Sequence, residues 1–381
     1  MNRCRIISAL RSLSPSGVAA GWLFAAAMVA AVPIRAQDTP TATIDEDCSA
    51  MAFAPDGQLA YSVRHNMKTH DYTVERDDFW VTTANGKRRR VILGEKIGGT
   101  APFSYMVTGL RWSPNGQLLS AELDTRTVTN KEGDEREATD TLLFDQEGKQ
   151  FHLGSSGPLL ENAFDAAWLS DEATVVYLTE AVKPNLLFSI QAARPVADRR
   201  SALFEGRTFL AAAWDTKKNL GYAIERDRNF EGPPRLQRLD LIKETSDELA
   251  TLDTYSGGLT ISPAGDMAAY YLDHEVLEIR DLAAPNHIAR VRIGYGQYAW
   301  SPDGRRILLK RAPEKKTGDL VSFEVPSLSA PVSGGAPDVL QPTLAPLLHD
   351  LTFRDFQIAP DGHAVAVMRP GKQDILIYPW K

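Results

Sequence analysis

The sequence predicts an all-β protein: a seven-bladed β-propeller of four-stranded antiparallel blades, with an N-terminal strand closing the last blade. Three observations predict it. One turn phrase recurs seven times along the chain. Short β-prone runs follow each copy, with no helical stretch between them. The last unit is one strand short, and a spare β-prone segment stands near the N-terminus.

The phrase is an aromatic or aliphatic residue followed by Ser-Pro-Asp-Gly or a near variant. Clear copies are Phe53-Ala54-Pro55-Asp56-Gly57, Trp112-Ser113-Pro114-Asn115-Gly116, Ile261-Ser262-Pro263-Ala264-Gly265, Trp300-Ser301-Pro302-Asp303-Gly304 and Ile358-Ala359-Pro360-Asp361-Gly362. Trp168-Leu169-Ser170-Asp171-Glu172 and Trp214-Asp215-Thr216-Lys217-Lys218 are degenerate copies. Leading residues stand 39 to 59 positions apart, and a mean near 49 residues suits one propeller blade. Proline presets φ for the first corner of a type I turn, Asp or Asn follows comfortably, and Gly accepts positive φ. Proline also cannot donate to a ladder, so it ends the strand before it. Each phrase therefore reads as strand, tight turn, strand.

The runs after the turns supply the remaining strands. Second strands are expected at 58–63, 117–123, 174–179, 220–224, 267–272, 306–309 and 364–368. Third strands are expected at 79–82, 141–144, 186–190, 236–241, 276–279, 320–325 and 375–378. More polar fourth strands are expected at 90–93, 150–153, 202–204, 248–252, 288–293 and 339–344. The seventh unit stops after its third strand, and Thr41, Ala42, Thr43 and Ile44 are expected to supply its outer strand. Closure matters because each blade buries its faces only against its neighbours. A pair of β-sandwiches or an open solenoid is the alternative, which seven copies without intervening helices disfavour. The Pro-, Gly- and Ser-rich residues 332–346 read as a loop inside the sixth unit.

The chain has 381 residues, 43% hydrophobic and 24% charged, which is ordinary globular usage and excludes wholesale disorder. With 42 basic and 49 acidic residues it lacks the surplus that nucleic-acid binding requires. Residues 1–36 read as a secretory signal peptide. Arg3, Arg5 and Arg11 precede an apolar stretch from Gly17 to Val32, and small residues lead to Ala36, where cleavage is expected. The stretch is shorter than the roughly 20 residues of a spanning helix, although an uncleaved anchor is the competing reading. The rest, residues 37–381, is expected as one propeller domain, periplasmic or secreted, monomeric and without a membrane span. Only Cys4 and Cys48 occur, so a disulfide-rich scaffold is excluded. Cys48 reads as a small buried side chain.

Trp300-Ser301-Pro302-Asp303-Gly304 and Trp112-Ser113-Pro114-Asn115-Gly116 resemble the WD40-like repeats of TolB-type β-propellers, also found in the propeller domains of prolyl-oligopeptidase-type peptidases. The resemblance covers nearly all of residues 37–381 and implies a bacterial envelope propeller. It is expected to be propeller only. The repeats begin almost directly after the signal, where TolB carries an α/β domain. No Gly-x-Ser-x-Gly elbow accompanies them, as a peptidase domain would require.

Local chemistry is sparse. The seven histidines form no His-Glu-x-x-His pattern, no cysteine cluster exists, and no Gly-rich phosphate loop precedes a helix. No metal or cofactor is expected. The tryptophans at one repeat position, Trp112, Trp168, Trp214 and Trp300, are expected to fill the wedge between blades. The connections from second to third strand are long and charged and share one face of a propeller. Residues 64–78 carry His65, His70, Asp71 and Arg76, and residues 124–140 carry Asp124 and Arg126. Residues 226–235 carry Arg226 and Arg228, Asp273 and His274 follow the fifth unit's second strand, and residues 311–319 begin with Arg311. Rigid scaffolds present recognition on such loops, although surface loops are also charged merely because water solvates them. Two functions follow. One is a non-catalytic binding or scaffold module for a protein or carbohydrate partner in the cell envelope. The other is a hydrolase or lyase whose groups converge from several blades at the channel mouth, from among His65, His70, Asp124, Arg226, Asp273 and His274.

Overall fold

Strand pairing starts at the recurrent turns. In the computed structural model the backbone N–H of Gly57, Gly116, Gly265, Gly304 and Gly362 each donates to the carbonyl three residues earlier, at 2.8–3.0 Å. All five have positive φ, from 67° to 85°, which is the conformation the phrase reserves for glycine. Serine completes the turn: the Ser113 Oγ accepts from the N–H groups of Gln117 and Leu118, and the Ser262 Oγ from those of Asp266 and Met267. The degenerate copies still turn, with Glu172 donating to Leu169 and Lys218 to Asp215. Without glycine, Glu172 and Asn219 take the positive φ.

The structure describes residues 39–68, 73–82, 86–97, 103–128, 135–153, 158–182, 187–311, 318–330, 338–351 and 353–380. The expected signal peptide lies outside them. The described strands make seven antiparallel sets of four. The first sheet is Cys48–Phe53, Leu59–Lys68, Thr73–Thr82 and Arg88–Ile92. The second is Phe103–Trp112, Leu118–Val128, Glu135–Asp145 and Leu159–Leu160. The third is Phe164–Trp168, Val175–Val182, Leu187–Arg194 and Arg199–Leu203. The fourth is Phe209–Asp215, Leu220–Glu225, Arg235–Asp240 and Thr245–Thr251, joined to the third by a single Phe188–Phe209 pair. The fifth is Gly257–Ile261, Met267–Tyr271, Val276–Asp281 and Ile288–Arg292. The sixth is Tyr298–Trp300, Arg306–Arg311, Gly318–Glu324 and Ala345–Leu351. The seventh is Asp355–Ile358, Ala364–Met368 and Ile375–Pro379, with Ala42–Ile44 on its outer edge.

That outer strand is the expected closure. Ala42, Thr43 and Ile44 pair with Ile377, Leu376 and Ile375, and the Thr41 N–H donates to the Ile377 carbonyl at 2.7 Å. The core repeats the cycle in apolar contacts. One cluster joins sheets one and two through Phe79, Tyr105 and Phe144, and the next joins two and three through Leu143, Trp168 and Tyr177. The series runs on to a cluster in which Met368 and Ile375 of the seventh sheet meet Met51 and Tyr61 of the first. Cys48 lies buried in this closing cluster, and burial, then Glu46, pushes its thiol pKa up to about 12, so it is an inert packing group.

The tryptophans act between sheets, as expected. The Trp112 Nε1–H donates to the Ala52 carbonyl at 3.1 Å, Trp214 to the Asp165 carbonyl at 2.8 Å, and Trp300 to the Thr260 Oγ1 at 3.0 Å. Each acceptor lies on the first strand of the preceding sheet.

Two fourth strands differ from expectation. Gln150 makes only an isolated bridge to Phe144, and Leu159–Leu160 pairs the third strand of the second sheet instead. Val339–Leu340 leaves its own sheet and pairs in parallel with Arg290 and Val291 of the fifth, and Ala345–Leu351 becomes the sixth sheet's outer strand. Ala345–Leu351 carries Leu347, Leu348 and Leu351 into a core cluster, whereas Val339 and Leu340 stay 40% and 44% exposed. The strand with more to bury takes the blade position.

Candidate binding cleft

The first two sheets carry hairpins that run well past the sheet body. Pairing continues to Lys68 with Thr73 in the first and to Val128 with Glu135 in the second. Residues 64–78 and 124–140, expected as charged loops, are therefore largely paired strand. Their charges hide the strand period in the sequence, yet the cross-strand partners match: Arg64 faces Asp77, Arg126 faces Glu137 and Asp124 faces Thr139. Such pairs stabilise a ladder whose buried positions are largely polar.

Between the hairpins opens a cleft of about 920 Å³. Arg64 and Glu75 line it from the first sheet, Asp124, Arg126 and Glu137 from the second, and Phe164 and Glu180 from the third. Arg126 Nη2 stands 3.1 Å from Glu137 Oε1, with both side chains exposed. Arg64 lies 3.9 Å from Glu75 and 3.6 Å from Asp77. The Thr139 hydroxyl reaches Asp124 Oδ1 at 3.4 Å. The cleft thus offers both charges and several hydroxyls on a rigid frame.

Behind this lining sit two buried carboxyls. Asp77 Oδ2 accepts the Val107 N–H at 2.8 Å and the Ser49 hydroxyl. Its Oδ1, and the Nε of Arg64 facing it, have no hydrogen-bond partner among the described residues. Burial raises the Asp77 pKa, against the pull of Ser49, Val107 and Arg64. Asp140 accepts from Thr125 Oγ1 at 3.0 Å and from the Asn162 N–H at 2.8 Å, and burial raises its pKa too.

The candidate residues divide. Asp124 and Arg126 line the cleft. His65 stands beside it on the extended hairpin, its Nδ1 3.8 Å from Asp78 Oδ1. Arg76 is not on a rim. It is fully buried, donates Nε–H to the Phe103 carbonyl at 2.8 Å, and packs over the Phe103 ring. His70 and Asp71 lie outside the described residues. The others belong to the fourth, fifth and sixth sheets and do not reach the cleft lining. Arg226 donates to the Phe230 carbonyl at 2.7 Å and lies over its ring, next to exposed Arg228. Asp273 accepts the N–H groups of Glu275 and Val276, which hold its pKa down. His274 meets the exposed Tyr295 edge to face at 5.3 Å. Arg311 is exposed and paired in register with Asp319.

Sequence reasoning missed Tyr105, Phe164 and Glu180 as lining residues. The signal was present: connections between blades open on the same face as the second-to-third connections, so residues entering a first strand, such as Tyr105 and Phe164, belong to that face. Among the described residues no group of three or more His, Cys, Asp or Glu could hold a metal ion, and no helix is long and apolar enough to cross a membrane.

No protein-family model and no curated protein matches the sequence. Solved structures do match in fold. A chain in the crystal structure of the mitotic checkpoint complex aligns at a TM-score of 0.54 and 13% identity, covering 98% of this chain and 98% of that one. The β-propeller domain of Cps50 (Swd1) from Myceliophteria thermophila aligns at 0.54 and 12% identity, covering 90% of this chain and 99% of that one. With the cyclic sheet packing, these likenesses make the fold a WD40-like β-propeller.

Proposed function

We propose that this chain is a non-catalytic binding or scaffold module, and that the cleft over the first three sheets holds a polar segment of a protein or glycan partner. The seven sheets are read as the blades of one ring. The reading places the protein in the cell envelope, exported by its N-terminal signal and akin to the TolB-type propellers. The observation that carries it is the 920 Å³ cleft walled by two paired hairpins, a preformed concave surface rich in exposed hydrogen-bonding groups. Both solved neighbours are of propeller fold, and one comes from a multiprotein complex.

An enzyme at the same cleft is the second reading. The raised pKa values of Asp77 and Asp140 favour it. Against it, neither carboxyl belongs to the cleft lining, and three of their four oxygens accept bonds from the protein's own groups.

The test is retention of an envelope partner by the immobilised protein, compared with Asp124→Arg/Arg126→Glu. Both residues are exposed, so setting a glutamate at position 126 opposite Glu137 should cost no more than about 1 kcal/mol of stability. A stoichiometric protein or polysaccharide retained by the wild type and lost by the variant supports the reading. Retention unchanged by the exchange sinks it.

A further inference from the structure

A second surface lies at the opposite end of the third sheet. The cleft opens where second strands pass to third strands. The tight turn Pro195–Ala197 joins the third strand, ending at Arg194, to the outer strand Arg199–Leu203. Beside it runs a groove of about 300 Å³ lined by Arg194, Arg199 and Arg200, with Ala192, Leu203 and Leu241 as apolar lining. Ile242, also lining, is 56% exposed, and Val196 at the turn is 84% exposed.

Among the described residues no close ion pair or side-chain hydrogen bond holds these three guanidinium groups, although the charge of Arg194 helps to lower the Asp171 pKa. Arg194 and Arg199 stand directly opposite each other in the ladder, and like charges so placed repel. Glu244 is the one carboxylate in the lining. The outer strand of the first sheet carries a similar run and treats it differently. There Arg88 meets Glu46 at 2.6 Å, Arg89 donates to the Gln146 carbonyl at 2.7 Å, and Arg90 meets Asp78 at 3.2 Å. In a chain with more acids than bases, three arginines without a close ion pair in one groove are an opening for an anionic ligand.

The ligand's form follows from the strand. Arg199–Leu203 pairs with Leu187–Arg194 on one side, and no strand pairs its other side among the described residues. Its edge can accept one more extended chain through backbone hydrogen bonds. Arg194, Arg199 and Leu203 share one face of the ladder and Arg200 lies on the other, so a chain acidic along its Arg199 end and apolar toward Leu203 would set carboxylates on the arginines and apolar side chains on Leu203, Leu241 and Ile242. A free anion would leave that apolar surface uncovered. We infer that this groove docks an extended acidic peptide segment of a partner protein, by strand addition to Arg199–Leu203 and by charge pairing with Arg194, Arg199 and Arg200. The inference is independent of the cleft, and with both surfaces occupied the protein would bridge two partners.

The test uses the full chain and a fluorescein-labelled peptide with Glu in one half and Val in the other, roughly ten residues long, read by fluorescence anisotropy. Saturable binding is expected, weakened by added salt and reduced about tenfold or more in Arg194→Glu/Arg199→Glu. Arg305→Glu, an exposed change on the sixth sheet, should leave it unchanged. Methylating alternate peptide nitrogens should weaken binding further, because strand addition needs those N–H groups. Arg199→Gln/Arg200→Gln, which removes charge without reversing it, checks folding by its melting temperature and should still bind less tightly. Failure to saturate, equal affinity of wild type and charge variants, or equal binding of the peptide with Lys in place of Glu would each overturn the proposal. Displacement by inorganic phosphate at concentrations equal to the peptide would assign a small-anion site and overturn it as well.

Discussion

The first and fifth sheets both bury charge, and they finish the job differently. In the fifth, Glu278 is fully buried with Arg280 beside it. Its Oε1 receives the Tyr270 hydroxyl and Arg280 Nη2, and its Oε2 receives Arg290 Nε at 2.9 Å. Arg290 then reaches Asp253 at 3.1 Å. Both oxygens are used, and the network closes on itself. In the first sheet the consecutive Arg76, Asp77 and Asp78 are all buried, yet Asp77 Oδ1 and Arg64 Nε face each other at 3.6 Å without a hydrogen bond. Desolvation costs both sheets several kcal/mol per ion before partners offset it. A closed network offsets it within the fold. An open one, set behind the cleft, keeps unspent hydrogen-bonding capacity beside it.

Breaking the closed network should have the largest effect. Glu278→Ala leaves Arg280 and Arg290 without their shared carboxylate and should cost about 3–5 kcal/mol of stability. Urea unfolding of the full chain measures it. Glu278→Gln keeps the shape and some of the hydrogen bonds and should cost less. A loss under about 1 kcal/mol for the alanine variant would mean that water reaches the arginines, and the contrast between the sheets would fail.

The same contrast between partnered and unpartnered groups sharpens among the tryptophans. Trp112 bonds the neighbouring sheet through its Nε1–H, whereas the buried Trp168 Nε1 has no partner among the described residues. Both lose similar ring area on change to phenylalanine. Trp112→Phe should therefore cost about 1 kcal/mol more than Trp168→Phe. Equal losses would mean that ring packing alone holds the wedge.

Much of this fold was legible because its turns have chemistry of their own. Pro-Asp-Gly fixes φ locally, so the five clear copies announce five turns, and the tryptophan that leads four of the seven copies announces the wedge between blades. The closing strand was legible by subtraction, since the last unit lacked a partner that residues 41–44 could supply. The hairpins over the cleft were not legible. Strands are read from alternating apolar and polar residues, and Arg64, Glu75, Arg126 and Glu137 extend a ladder whose buried positions are largely polar, Arg76, Asp77 and Thr125 among them. For the same reason Arg76 looked like a rim residue, since nothing in its local sequence says that Phe103 folds over it. Val339–Leu340 also escaped, because its pairing depends on a vacant edge in another sheet. The cleft is a product of such non-local pairings, so the sequence yielded its face and only part of its lining.

The smallest expected effect tests the open site itself. Asp77→Asn keeps size and one oxygen to accept the Val107 N–H, so stability at neutral pH should change by no more than about 1 kcal/mol. The informative quantity is the slope with pH. Burial raises the Asp77 pKa in the folded state above 3.8, so the native protein holds this proton more tightly than the unfolded chain. The associated stability is fully present below pH 3.8 and is lost as pH rises through the folded-state pKa. The asparagine variant lacks that loss. Its stability relative to the wild type should rise as pH climbs above 3.8, then level off, in paired urea titrations. The opposite slope, with the variant losing ground as pH rises, would mean that Arg64 stabilises the carboxylate more than burial penalises it. The first sheet's charge would then be as closed as the fifth's.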